Sequence, residues 1–327
     1  VTLGSTAQER LTLDAIGLGG YRNAGKAQQL VARNIVLSTS RLSPSDASAF
    51  AAGTGNGVLT VSAQTVSFGD TPQAIGNSTG FAMRGFDQVS IDAGSTVVMS
   101  GNGQYTMASD VQINTPKISA ETGANVELTA TGALALTGRG GTPARDAGVG
   151  GALSLRAGTI AVQTLIDMPS GRISASADGD VTLGVLPDGA GSGRIVAAGV
   201  LRDYLGRRVA TPGGTVSLAS ANGNVIVQPG ASIDVSAAAD GGDAGAVSLS
   251  APQGTVSVAA GSLKAVSTGG AAGGEFVLDT GALASLDGMA AVSTDFTRRW
   301  VARVHAGDTR LDGDITAREI SIGADAG

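Results

Sequence analysis

The 327-residue chain contains no cysteine and a single histidine, His305, and both scarcities limit its chemistry. Without cysteine, the chain has neither a disulfide framework nor a thiolate metal site. One imidazole supports a metal site only with an otherwise all-carboxylate shell, and a Ser-His-Asp triad would have to be built on His305. We therefore predict no metal, no cofactor and no catalytic residue, and we expect His305 to be a solvated side chain.

Aromatic residues make up 3% and charged residues 15% of the chain, and its net charge is −6. Basic residues form no dense cluster and do not interleave with aromatic residues, which argues against a nucleic-acid partner. No apolar run approaches the roughly 18 residues that a transmembrane helix needs. No signal peptide opens the chain. Both ends are strand-like runs, so we expect a segment of a longer protein.

Short apolar-polar-apolar runs, separated by turn pairs such as Asn-Gly and Pro-Gly, fill most of the chain, which has 51 glycines. Three successive runs recur one period later. The equivalent positions are Val216 and Val247, Val225 and Val256, and Ile233 and Leu263, at offsets of 31, 31 and 30 residues. An earlier pair of runs recurs from Val126 to Leu153 and from Leu134 to Ile160, at offsets of 27 and 26. A fixed period of this kind indicates a repeat architecture.

Period-2 alternation and turn residues predict that the repeating units are strands. Strands this short bury their apolar side only when coils stack on one another. We therefore predict an all-β fold, a right-handed parallel β-helix with loop and short-helix insertions. About 11 to 15 coils would give a rod on the order of 50 to 70 Å long. The residues expected to point into one core column are Leu153, Ile160, Val216, Leu218, Val225, Val227, Val247, Leu249, Val256 and Val258. Those expected to face outward on a flat, hydrated wall are Ser154, Thr182, Ser217 and Ser248.

Four stretches interrupt the pattern, and we treat residues 1–327 as one β-helix segment with insertions near 42–57, 69–87, 187–214 and 281–308. The first insertion resembles a short helix, with Ser43 as its cap and Pro44 at its first position. The others are expected to leave the rod as loops.

Arginine, tyrosine and tryptophan dominate binding hot spots, and they concentrate in the last two insertions. The candidate partner-binding residues are Arg202, Tyr204, Arg207, Arg208, Arg298, Arg299, Trp300 and Arg303. For the four residues of the fourth insertion, 298–300 and 303, two alternatives stay open. Trp300 either packs the fourth insertion onto the rod or forms an exposed recognition patch with its arginine neighbours.

Carboxylates occur in pairs within three glycine-rich stretches, 178–180, 240–243 and 312–314. Paired carboxylates could carry acid-base chemistry or hold calcium. Aspartate in such turns also bonds its own local backbone, and we expect that role here.

Three stretches show the repeat pattern most clearly: GGALSLRAGTIAVQT, GGTVSLASANGNVIVQPGASIDVSA and GDTRLDGDITAREISIGADAG. They are similar to the central repeats of filamentous-haemagglutinin-like exoproteins, the secreted partners of bacterial two-partner secretion systems. The resemblance implies a right-handed β-helix, export through a cognate outer-membrane transporter barrel, and a role in adhesion. Nothing matches the Asn-Pro-Asn signature of that family's secretion domain, so it implies a segment downstream of that domain.

These observations together predict a non-enzymatic rod or stalk segment of a large secreted or cell-surface adhesin. Its receptor would be a glycan or protein on a host or bacterial surface. Two alternatives remain: a polysaccharide-active β-helix lyase or hydrolase that uses aspartate carboxylates, and the passenger of an autotransporter.

Overall fold

A computed structural model describes residues 2–14, 17–19, 27–38, 57–69, 81–84, 86–107, 110–140, 148–186, 189 and 191–325. Its strands are β1 (Thr2–Gly4), β2 (Arg10–Asp14), β3 (Gly17–Gly19), β4 (Ala27–Val31), β5 (Asn34–Ser38), β6 (Gly57–Phe68), β7 (Phe81–Arg84), β8 (Phe86–Met99), β9 (Asn102–Met107), β10 (Asp110–Asn114), β11 (Lys117–Ala120), β12 (Asn125–Ala130), β13 (Ala133–Thr137), β14 (Ala152–Ala157), β15 (Thr159–Gln163), β16 (Leu165–Asp167), β17 (Arg172–Ala177), β18 (Val181–Leu183), β19 (Arg194–Val196), β20 (Leu201–Tyr204), β21 (Arg207–Ala210), β22 (Thr215–Ser220), β23 (Val225–Val227), β24 (Ser232–Asp234), β25 (Ala246–Ala251), β26 (Val256–Val258), β27 (Leu263–Lys264), β28 (Glu275–Ala282), β29 (Arg299–Ala306) and β30 (Glu319–Ala324). The one α-helix among the described residues is α1 (Asp287–Val292).

The strands stack into three faces of a solenoid. Face A holds β1, β4, the first half of β6 and of β8, β10, β13, β15, β18, β23 and β26. Face B holds β2, β5, the second half of β6 and of β8, β11, β16, β19, β24 and β27. Face C holds β3, β7, β9, β12, β14, β17, β22, β25, β28, β29 and β30. Every pairing within the three faces is parallel, so the predicted parallel β-helix is confirmed.

The strand register confirms the repeats that the sequence predicts. The five pairs of recurring positions are direct ladder neighbours: Val216 and Val247, Val225 and Val256, Ile233 and Leu263, Val126 and Leu153, and Leu134 and Ile160. Eleven strands stack on face C, which corresponds to a rod of roughly 50 Å at about 4.8 Å per coil.

One continuous apolar core runs inside the three faces. Of the ten residues predicted to point inward, nine are buried, and Val258 alone is only partly buried. Val258 ends β26, and among the described strands no later one covers β26 on face A. The four predicted outward residues are half-exposed between buried neighbours, as the alternation requires.

Polar side chains tie successive coils together at the turn that leads into face A. The Asp110 carboxylate accepts a hydrogen bond from the Ala133 amide in the next coil, at 2.9 Å. Asp180 does the same for the backbone and side chain of Asn224, at 2.7 and 3.1 Å. Asn224 in turn accepts from the amide and hydroxyl of Thr255, at 3.0 and 2.9 Å. These side chains satisfy turn amides that the strand ladders leave unpaired.

The insertions are smaller than predicted. Residues 42–56, with the expected helix cap at Ser43 and Pro44, lie outside the described residues, as do 70–80. The second insertion was predicted too long, because 81–84 is strand β7 and Phe86 begins β8 with its side chain buried.

The predicted bounds of the third and fourth insertions also include strands of the solenoid. Strand β19 stacks on face B, so within 187–214 the antiparallel hairpin β20–β21 is the part outside the three faces. Strand β29 lies within 281–308 and stacks on face C between β28 and β30. Its outward positions carry arginine, valine and histidine where most face C strands carry short polar side chains, which obscured the alternation.

Candidate functional site

The β20–β21 hairpin holds the first group of predicted binding residues. Tyr204 pairs with Arg207 across the strands, so Leu205 and Gly206 form a two-residue turn. Both have positive φ, 54° and 79°, as in a type I′ turn. Glycine adopts this conformation freely, whereas leucine does so at a cost in strain.

A hydrogen bond from the Gly206 amide to the Asp203 carboxylate, at 2.8 Å, supports the turn. The Leu205 side chain is fully exposed at its tip, and Val209 is 44% exposed. Arg207 and Arg208 are exposed, and Arg202 is half-buried. The side chain of Tyr204 lies outside the described part of the structure. The hairpin therefore presents a strained apolar tip beside basic side chains.

Trp300 does not share a surface with its arginine neighbours. It is 1% exposed and lies 5.8 Å from Phe276, centroid to centroid, within the core. Its indole nitrogen donates to the Ser293 hydroxyl at 2.8 Å. Of the two alternatives for Trp300, the exposed patch is wrong; Trp300 is packed into the core, as a residue of the solenoid strand β29 rather than of an insertion.

The three arginines of this group form ion pairs between adjacent coils. Their partners are Glu275 for Arg298, Glu319 for Arg299 and Asp325 for Arg303, at 3.2, 3.2 and 3.1 Å. Donation from Arg303 is the main cause that lowers the pKa of Asp325 below its ordinary value. These pairs align neighbouring strands of face C.

His305 is not the freely solvated side chain that was expected. Its Nε2 lies 2.6 Å from an oxygen of Asp279, and its Nδ1 lies 2.9 Å from an oxygen of Asp325. Ser250 donates to Asp279 at 3.1 Å, whereas both ring nitrogens of His305 face carboxylates. A nucleophilic serine needs the imidazole as its hydrogen-bonded base. Ser250, Asp279 and His305 therefore do not have the connectivity of a catalytic triad. The sequence does not predict the two carboxylate partners of His305, because they lie 20 and 26 residues away from it in the chain.

Two of the paired carboxylates bond another coil rather than the backbone of their own turn, contrary to expectation. Asp180 bonds Asn224, and Asp243 accepts from the Ala272 amide at 3.0 Å. In the third stretch, the amides of Asp312 and Gly313 donate to Asp287 instead, both at 2.8 Å. Those bonds, with that from Gly313 foremost, lower the pKa of Asp287.

The described part of the chain contains no group of three or more histidine, aspartate or glutamate side chains able to hold a metal. No described helix is long and apolar enough to cross a membrane.

A polar groove of about 1290 Å³ follows the corner where face A meets face B. Six successive coils contribute to its lining, which includes Glu9, Arg33, Asn34, Gln64, Asp92, Asn114 and Arg139. Sequence reasoning missed the groove, because its residues are scattered over more than a hundred positions.

Comparison of this chain with protein-family models, with curated proteins and with solved structures finds no match.

Proposed function

We propose that this chain is a non-enzymatic rod segment of a secreted or cell-surface bacterial exoprotein, and that it contributes surface structure and adhesion. The observation that carries the proposal is the β20–β21 hairpin, which exposes Leu205 at a strained turn beside Arg207 and Arg208. Strain held at an exposed apolar tip points to selection for contact rather than for stability.

The aspartate and histidine side chains of the rod support the same proposal. Asp180 and Asp243 bond the backbone of another coil, and His305 bridges two carboxylates. These interactions hold coils together and leave the hairpin as the projecting contact element. The sequence resemblance adds a cognate outer-membrane transporter barrel as export partner and a surface glycan or protein as receptor.

An adhesion assay with the purified chain on beads tests the proposal. Because Val200 and Thr211 hydrogen bond to each other at the hairpin base, an Asn-Gly turn can replace 201–210. We expect this replacement to abolish attachment of the beads to bacterial or epithelial cells. Circular dichroism should stay β-rich. Attachment that survives the replacement would contradict a role for the hairpin.

The polysaccharide-active alternative is favoured by one observation, the corner groove with its carboxylates Glu9 and Asp92. Incubation of the chain with pectins and glucans, with and without calcium, separates the two proposals. Turnover that disappears on Asp92→Asn would establish the enzyme. The complete open reading frame separates the export routes, since an attached C-terminal barrel domain means an autotransporter.

A further inference from the structure

The corner groove runs along the rod axis and has a regular lining. One or two amide or charged side chains line it from each of six successive coils: Glu9, then Arg33 and Asn34, then Gln64, then Asp92, then Asn114, then Arg139. Five coil steps of about 4.8 Å make the lined length about 24 Å. Each coil therefore offers at least one hydrogen-bonding group to the groove, one coil step along the axis from the next coil, unlike the flat wall expected from the sequence.

The floor of the groove is kept open by small residues, and Gly94 is the informative one. A Cβ at Gly94 would meet only the flexible end of the Gln64 side chain, at 2.7 Å from its Oε1. Gly94 is also not in the left-handed region, so neither backbone conformation nor packing against the main chain requires glycine there. The missing side chain makes room for the Gln64 amide, which lies over Gly94 within the groove.

Two of the polar side chains are available to a ligand. Among the described residues, neither Gln64 nor Arg139 has a hydrogen-bonding or ionic partner for its side chain, and both are exposed. Others are held in place from within the groove. Glu9 accepts from Arg33 and Asn34, and Asn114 donates to Asp92 at 2.6 Å.

We propose that this groove binds a linear, uncharged glycan along the rod axis, with about one sugar unit per coil. The coil spacing of about 4.8 Å is close to the length of one pyranose unit in an extended chain. Amide, carboxylate and guanidinium groups are suited to sugar hydroxyls, because together they donate and accept. The two arginines and two acids of the lining balance, which favours a neutral glycan over an acidic one.

Other linear ligands fit the groove less well. A peptide strand binds by pairing with an open sheet edge, whereas this groove crosses strands whose backbone is already paired. The rise of about 3.3 Å per residue in an extended peptide also differs from the spacing of about 4.8 Å between coils. A nucleic acid requires an excess of positive charge, which the lining lacks. The proposal is independent of the hairpin, which lies in another part of the chain.

Calorimetric titration of the intact chain with cellopentaose, hexagalacturonate and an extended hexapeptide tests the assignment. We expect saturable binding of cellopentaose and none of the other two. Gly94→Phe should abolish it by filling the groove. Gln64→Ala should weaken it about tenfold through loss of a hydrogen bond. Gln253→Ala, in an exposed turn far along the rod, is the matched control and should bind as the parent does.

Circular dichroism and melting temperature should be unchanged in the Gln64 and Gln253 variants, which keeps the test valid if Gly94→Phe fails to fold. Absence of cellopentaose binding, or binding unaffected by Gln64→Ala, would overturn the proposal, and so would preferential binding of the peptide or of hexagalacturonate. Each of these results leaves the bead-adhesion result untouched, so failure of the groove proposal and failure of the hairpin proposal are distinguishable.

Discussion

At the scale of single residues, side-chain direction along each strand separates stability from surface chemistry. Val225 is fully buried, whereas Ser217 stands half-exposed between Ser174 and Ser248 of the neighbouring coils. These directions were predictable because alternation alone decides them. The partners of His305 were not, because they depend on which coils become neighbours.

A pair of aspartate substitutions tests the inward and outward assignment. Val225→Asp buries a carboxylate without a partner, which costs several kcal/mol or forces the group to become neutral by raising its pKa. Ser217→Asp places the same group at the surface and should change stability by less than about 0.5 kcal/mol. Thermal unfolding measures both. Equal losses of melting temperature would show that the alternation is misassigned.

The ion pair between Arg303 and Asp325 predicts a defined pH dependence. The pKa of Asp325 is lowered from 3.8, first by the hydrogen bond from Arg303 and further by its charge and by His305. Because the pKa is lower in the folded state, ionised Asp325 contributes stability above about pH 3.8. That stability is lost as the pH falls through the folded pKa.

Carboxyl NMR titration should show that Arg303→Gln raises the pKa of Asp325 toward 3.8. The matched control is Arg299→Gln, since Arg299 pairs with Glu319 and not with Asp325. An unchanged titration of Asp325 in the Arg303 variant, or an equal change in the control, would refute the assigned cause.

At the scale of elements, the turns carry information that the strands do not. Strand register followed from the offsets near 27 and 31 residues because inward positions must stack. The turn ladder of Asp180, Asn224 and Thr255 was missed, because its members are 44 and 31 residues apart. The same limit applied to β29, whose charged outward side hid a solenoid strand within a predicted loop.

Removing the middle member of the turn ladder tests its contribution. Asn224→Ala removes the side-chain bond to Asp180 and both bonds from Thr255, whereas the backbone amide of residue 224 still donates to Asp180. The Thr255 amide is left without its partner, so we expect a loss of about 1–2 kcal/mol. Asn222 lies in the same turn, and no side-chain bond of it is present among the described residues, so Asn222→Ala should lose less than about 0.5 kcal/mol. Urea unfolding measures the difference in unfolding free energy between the two variants, provided that the slope of the free energy against urea concentration is unchanged. Similar midpoints for the two variants would mean that the ladder does not stabilise the coils.

At the scale of the whole molecule, the three faces of the solenoid end at different coils. Faces A and B end at β26 and β27, whereas face C continues through β29 and β30. Phe276 of β28 contacts both Phe296 and Trp300 of β29, and the Trp300 indole also donates to Ser293 at the end of α1. Strand β30 is exposed throughout, with Ile320 and Ile322 at 46% and 44%. The groove has the same whole-molecule origin, since it exists only once six coils are stacked.

This architecture predicts that the coils nearest β30 unfold before the rest. In a stacked repeat, stability is a sum over neighbouring interfaces, and a terminal coil with fewer contacts opens first. Trp300 is the single tryptophan and is buried in β29, so its fluorescence reports on this end alone. Circular dichroism reports on all strands. In urea, the fluorescence midpoint should therefore fall below the dichroism midpoint. Adding Trp300→Phe as a control should remove the fluorescence change and leave the main dichroism transition in place. Coincident midpoints would instead show that the whole rod unfolds as one cooperative unit.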